Sequence, residues 1–160
     1  MSTQQKITPC LWYDGQAEEA AAFYTSLFKD SRITEVQRYG KEGPGTPGSP
    51  MLVVFELAGQ TYTALNGGPQ FNFTEAISLS VDCEDQAEVD ELWAKLSEGG
   101  EEGPCGWLKD KYGLSWQIIP RALPELLADP DPEKAGRVMK AMLGMGKIDV
   151  QGLRDAYDNK

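Results

Sequence analysis

The sequence predicts an α+β protein of two tandem βαβββ modules followed by a helical tail. Three observations carry this. The apolar stripe Ala20, Phe23, Tyr24, Leu27 recurs 69 residues later as Val89, Leu92, Trp93, Leu96. Both show the i, i+3, i+4, i+7 spacing of one helix face. The strands ahead of these helices match at an offset of 70, with Ile7, Thr8 and Leu11 answered by Ile77, Ser78 and Val81. The last strands match at an offset of 54, Gly59-Gln60-Thr61-Tyr62-Thr63 against Gly113-Leu114-Ser115-Trp116-Gln117. The offset falls because the first copy carries an extra loop. An α+β domain without internal repetition is the alternative.

The elements follow in order. Ile7 to Tyr13 reads as a strand, and Asp14-Gly15 ends it. A helix runs from Ala17 to Phe28 and a strand from Ile33 to Tyr39. The stretch 40–50, GKEGPGTPGSP, is too rich in Gly, Pro and Ser for regular structure. Met51 to Leu57 and Thr61 to Leu65 form a hairpin across Ala58-Gly59-Gln60, and Asn66-Gly67-Gly68-Pro69 breaks the pattern. In the second copy, Ala76 to Val81 is a strand, Glu84-Asp85-Gln86 opens the helix and Gly99-Gly100 ends it. Gly106 to Lys109 and Leu114 to Ile119 are strands on either side of the turn 110–113. The tail starts at about Ala122. Asp131 is placed as an N-cap with Pro132 in the first helical position, and Ala135, Val138, Met139, Met142 and Leu143 form the apolar face. Gly144 stops that helix, and Asp149 caps a last short one with Val150 and Leu153. Module one spans about 5–68 and module two about 74–121, together one domain over 1–121; the extension is 122–160.

Composition excludes several function classes. The chain has 160 residues, 15 basic and 25 acidic, for a net charge of −10. Such a surface repels phosphate backbones and anionic lipid, so nucleic acid and membranes are not expected partners. No run approaches the roughly 18 apolar residues of a membrane span. The amino-terminal MSTQQKITPC has no signal-like apolar core, so a cytoplasmic location is expected. There is no histidine. Triads, Cys-His dyads and HExxH sites are therefore absent from the chain. Cys10, Cys83 and Cys105 form no CxxC pair.

Side chains alternate across a strand, so each predicted strand has a second face. Those faces hold Thr8, Cys10 and Trp12; Thr61, Thr63 and Leu65; Ser78, Ser80 and Asp82; and Ser115, Gln117 and Ile119. Small neutral polar groups with a tryptophan suit a pocket for a modest organic ligand better than a solvated face. A face covered by the tail helices or by a second subunit is the other reading. The expected walls are Thr8, Cys10, Trp12, Thr63, Ser78, Ser80 and Gln117, with Trp107 near the rim. Phe71 and Phe73 are further aromatic candidates. Cys10 and Cys105 have no cation or histidine beside them to make a thiolate, and they read as structural. Glu18-Glu19 and Glu101-Glu102 read as solvated surface.

The runs ITPCLWYDGQAEEAAAFYTSLF, NGGPQFNFTEAISLSV and CGWLKDKYGLSWQIIP resemble a PhnB-like protein of the vicinal oxygen chelate superfamily, which includes glyoxalase I, bleomycin-resistance proteins and extradiol dioxygenases. The resemblance covers about 5–121. It implies paired βαβββ modules forming a cupped mixed sheet, usually in a homodimer. Some members carry a 3-demethylubiquinone 3-methyltransferase label, but no Gly-rich strand-to-helix loop followed by an acidic residue occurs here. Metal-dependent relatives place His or Glu at positions that fall here around Thr8 and Ser78 and at Thr63 and Gln117. Hydroxyls and amides are weak ligands for a transition ion, so no metal and no cofactor are expected. Glu56 has two readings, a carboxylate that approaches the cup and acts alone or, the preferred one, an ordinary exposed strand carboxylate. Two functions stay open: a small-molecule binding protein without a metal centre, or a glyoxalase- or dioxygenase-type enzyme with an atypical or absent metal shell.

Overall fold

The structure, a computed structural model, describes residues 4–160. The chain divides into two compact units, the first ending at Asn72 and the second running Phe73–Lys160. Each holds one mixed four-stranded sheet.

In the first unit β1 (Cys10–Tyr13) leads through α1 (Ala17–Thr25) to β2 (Arg32–Arg38), β3 (Pro50–Leu57) and β4 (Gln60–Asn66). The strand order is β1-β4-β3-β2, with β1 parallel to β4 and the other pairs antiparallel. The helix presents Ala17, Ala20, Ala21 and Tyr24 to the sheet. Three alanines on that face let the helix backbone lie close to Leu11, Val53, Phe55 and Ala64, all buried. Tyr13 and Tyr24 share a buried hydroxyl–hydroxyl bond of 3.1 Å. The predicted stripe is partly corrected: Phe23 and Leu27 are only half-buried, and the helix ends at Thr25, short of Phe28.

The amino terminus of α1 has no cap from its own neighbour Gln16. Asn66, at the end of β4, caps it from 49 residues away: its Oδ1 accepts from the Ala17 N–H at 2.8 Å. The Asn66 amide donates to the Pro50 carbonyl at 3.0 Å. One side chain thus ties the helix start to two strand ends.

The second unit repeats the plan with β5 (Ser78–Cys83), α2 (Gln86–Ser97), β6 (Glu101–Glu102), β7 (Trp107–Lys109) and β8 (Ser115–Pro120), in the order β5-β8-β7-β6. The parallel registers agree across the copies. Cys10 faces Thr63 in one, and Ser80 faces Gln117 in the other. Those pairs differ by 70 and 54 residues, the two offsets read from the sequence. The α2 stripe is the predicted one, Val89, Leu92, Trp93 and Leu96. Asp85 caps it by accepting from the Glu88 N–H at 3.0 Å.

Several strand limits differ from expectation. Ile7 and Ile77, read as strand residues, precede β1 and β5 and are exposed. Glu101-Glu102, read only as solvated surface, is exposed and forms the edge strand β6. Two adjacent acids carry no apolar alternation, so only pairing with β7 identifies them as strand.

The tail belongs to the second unit. It forms α3 (Ala122–Leu127), α4 (Pro132–Leu143) and α5 (Val150–Asp158). Asp131 and Asp149 cap α4 and α5 as predicted, each accepting a backbone N–H. Leu123, Val138, Ile148 and Leu153 form a buried cluster joined by Ile119, Met142 and Tyr157. Of the predicted apolar face of α4, Val138 is buried, while Met139 and Leu143 are exposed. Backbone bonds from Cys105 to Met145 and from Gly106 to Gly146, both 2.8 Å, stitch the tail to the segment before β7. No helix among the described residues is long and apolar enough to cross a membrane.

Candidate functional site

Strand pairing in the second unit arranges the outer sheet face in two cross-strand rows. Ser78 lies opposite Ser115, Ser115 opposite Lys109, and Lys109 opposite Glu101. The next row is Ser80, Gln117 and Trp107. All four residues predicted for this unit, Ser78, Ser80, Trp107 and Gln117, therefore share one face. The Gln117 amide donates to Ser78 Oγ at 3.0 Å. Ser80 is exposed, and Trp107 is half-buried.

The two ends of this face differ. Ile119 packs into the tail cluster, so the tail covers that end. At the other end Trp107, Lys109 and Ser115 line an open cleft of about 360 Å³, with Glu75, Pro104 and Cys105. Pro104 and Trp107 give it an apolar surface. Lys109 Nζ ion-pairs with Glu75 and lies 4.0 Å from Glu101. That hydrogen bond and charge hold the Glu75 carboxyl below its ordinary range and raise Lys109, so both are charged at neutral pH. Lys109, Glu75 and Ser115 are not among the residues the sequence predicts for the site. Lys109 follows the unassuming run Gly106-Trp107-Leu108, and only its place opposite Ser115 marks it.

Cys105 also lines this cleft, in a left-handed backbone conformation at φ 58°, followed by Gly106 at φ 84°. Cys83 is buried, and desolvation, followed by the charges of Glu88, Asp82 and Asp85, pushes its thiol up to about 12. It is not a nucleophile at neutral pH.

In the first unit Cys10, Trp12 and Thr63 lie on one sheet face, Cys10 directly opposite Thr63. Thr8 does not join them in the strand; it precedes β1 and is exposed. The Trp12 ring is largely engaged. Its indole N–H donates to the Gly68 carbonyl at 2.9 Å, and Phe71 meets it edge-on with centroids 4.9 Å apart. A Cβ at Gly67 would sit 2.3 Å from the indole, so glycine is required there. Trp12 and Phe71 thus pack on each other rather than standing free as separate stacking surfaces.

The positions that hold a metal in the wider fold family do not fit a transition ion here. The Thr63 hydroxyl donates to the Pro9 carbonyl at 3.3 Å. Ser78 Oγ accepts from the Gln117 amide. Glu56 lies opposite Arg32, with Arg32 Nε at 3.6 Å from its carboxylate. Neutral hydroxyls and an amide supply neither the charge nor the imidazole nitrogen such an ion needs. Among the described residues, no group of three or more Cys, Asp or Glu is placed to hold a metal.

Comparison with known proteins agrees with this fold. The family model described as 3-demethylubiquinone-9 3-methyltransferase matches residues 5–119. A PhnB protein of Bacillus cereus that carries the same methyltransferase name is 41% identical, with a TM-score of 0.66 over 72% of this chain and 99% of that one. A protein of Pseudomonas aeruginosa is 19% identical, with a TM-score of 0.60 over 73% of this chain and 98% of that one. The genomically encoded fosfomycin resistance protein of Listeria monocytogenes is 14% identical, with a TM-score of 0.51 over 74% of this chain and 94% of that one. No curated protein matches the chain. A family model that covers most of the chain, and a relative 41% identical over 72% of it, place this protein in the 3-demethylubiquinone-9 3-methyltransferase-like, PhnB-type family.

Proposed function

We propose that this protein binds a small organic molecule, without a transition-metal centre, on the polar sheet faces of its units. The contacting residues are Ser78, Ser80, Trp107 and Gln117 in the second unit and Cys10, Trp12 and Thr63 in the first. Thr8, ahead of β1, stands at the margin. The observation that carries the reading is the second-unit face, where the Ser78–Gln117 pair and Trp107 share one side of the sheet and an apolar cleft opens beside Trp107. Short neutral side chains there leave room that the long charged residues of a solvated face would occupy.

Methyl transfer is not supported, because each sheet holds a single parallel strand pair and offers no doubly wound crevice for a nucleotide-like cofactor. A glyoxalase- or dioxygenase-type reaction lacks the ion-binding groups described above.

The test is a thermal-shift screen of small uncharged organic compounds, followed by calorimetry of the hits. Saturable one-to-one binding is expected. Gln117→Ala and Ser78→Ala should each weaken it about two- to tenfold, the equivalent of one hydrogen bond. Unchanged affinity in both variants would overturn the proposal. So would tight one-to-one binding of Zn²⁺, Ni²⁺ or Fe²⁺ to the wild type.

A further inference from the structure

We propose that the second-unit cleft selects an uncharged ligand through one oxygen atom, a carbonyl or a hydroxyl, held jointly by the Ser115 hydroxyl and the Lys109 ammonium. This inference deepens the binding reading above and rests on it.

Ser115 is the starting point. It is buried to 1% exposure, yet its Oγ has no hydrogen-bond partner among the described residues. Buried hydroxyls are nearly always paired, because leaving one unpaired forfeits its bond to water with nothing in exchange. Ser115 lies directly between Ser78 and Lys109 in the cross-strand row and lines the cleft. Ser78 does not relieve it: its Oγ accepts from the Gln117 amide, and no hydrogen bond joins it to Ser115. The missing partner therefore comes from the cleft side.

Lys109 sets the polarity of that partner. Its ammonium carries three protons. Glu75 engages it closely, whereas Glu101 at 4.0 Å lies beyond hydrogen-bond length. Donor capacity is left on the residue opposite Ser115. An atom lying between an ammonium and a hydroxyl is best an acceptor, and an oxygen suits both.

The mouth of the cleft decides the charge. Glu75, Glu101 and Glu102 stand against the single cation Lys109, three negative charges to one positive, for a net −2. A carboxylate or phosphate entering this lining meets an excess of like charge. An ammonium is attracted to the rim, but it cannot accept from Ser115 and it repels Lys109. The remaining class is a neutral molecule with an apolar body for Pro104 and Trp107 and one acceptor oxygen for the row. A cleft of about 360 Å³ admits a single ring with a short substituent.

Four probes sharing one ring separate these classes: acetophenone, benzyl alcohol, benzoate and benzylammonium. They are titrated at neutral pH into ¹⁵N-labelled full-length protein, and the Trp107 indole and Ser115 amide signals are followed. Acetophenone and benzyl alcohol should shift both signals saturably. Benzoate and benzylammonium should bind at least about tenfold more weakly. Ser115→Ala should weaken the neutral probes about fivefold, the typical worth of one hydrogen bond, and Lys109→Met should do the same. Ser115→Ala without ligand should melt at or above the wild-type temperature, because it removes an unpaired buried group. A hydroxyl with a structural role would lower the melting temperature, and that result overturns the inference. So does equal binding by wild type and Ser115→Ala, benzoate binding more tightly than acetophenone, or failure of all four probes at Trp107. Hits from the wider screen that depend on Gln117 but not on Ser115 would overturn this inference alone and leave the binding reading standing.

Discussion

Asp110 shows how much a single residue does here that its neighbours in the sequence do not announce. Read along the chain, Asp110-Lys111-Tyr112-Gly113 is a turn and no more. In the structure the Asp110 carboxylate is buried. Its Oδ1 accepts from the Tyr112 and Leu114 backbone N–H groups at 2.8 and 3.1 Å. Its Oδ2 accepts from the Trp116 indole at 2.9 Å. The turn between β7 and β8 is thus welded to Trp116, a buried tryptophan of the second core. Asp110→Ala leaves the indole and two amide donors unpaired in a buried place, each worth about 1–3 kcal/mol. With partial relaxation we expect a loss of about 3 kcal/mol, read as a lowered urea midpoint with an unchanged slope. Asp110→Asn should recover part of it, since the amide oxygen still accepts from the turn.

At the scale of elements, the well-read helices are those with local signals. Asp85, Asp131 and Asp149 are recognisable N-caps, and all three accept a backbone N–H of their own helix. The helix α1 has no such signal, and its cap, Asn66, arrives from β4. The tail has a comparable long-range device at the far end of α5. Arg137 of α4 donates from Nε to the Ala156 carbonyl at 2.8 Å and from Nη2 to the Tyr157 carbonyl at 2.6 Å. These are carbonyls of the last turn, where a cation also complements the helix dipole. Arg137→Ala should destabilise the tail by about 1–2 kcal/mol. Hydrogen exchange should speed up first in α4 and α5, while the β8 amides stay protected. Equal acceleration throughout the second unit would show that the tail and sheet unfold together.

For the whole molecule, repetition is the organising fact. Both units use the strand order in which the first strand pairs with the last, in parallel and in the same register. Each sheet is open. Its outer strands, β1 and β2 in one and β5 and β6 in the other, carry unpaired backbone groups on one side. Met139 and Leu143 add exposed apolar surface on α4. We expect these features to be covered by a second copy of the chain. Light scattering at micromolar concentration should then give about 35 kDa, twice the 17.6 kDa chain mass. A particle of a single chain's mass would overturn this expectation.

Periodicity and spacing in the sequence determined the two βαβββ copies, the α2 face, the capped tail helices and the alternation that puts Ser78, Ser80 and Gln117 on one side. These follow from local rules, namely helical and strand periods and the chemistry of caps and turns. Tertiary structure alone decided the rest. Burial of the α1 alanines depends on how near the helix lies to its sheet. The two-residue strand β6 exists only because β7 lies beside it. The row Ser78–Ser115–Lys109–Glu101 draws one residue from each of four strands, and its members are neighbours only through register. The unpaired state of Ser115 is likewise invisible along the chain, because it depends on which polar groups the strand register brings within reach of its hydroxyl.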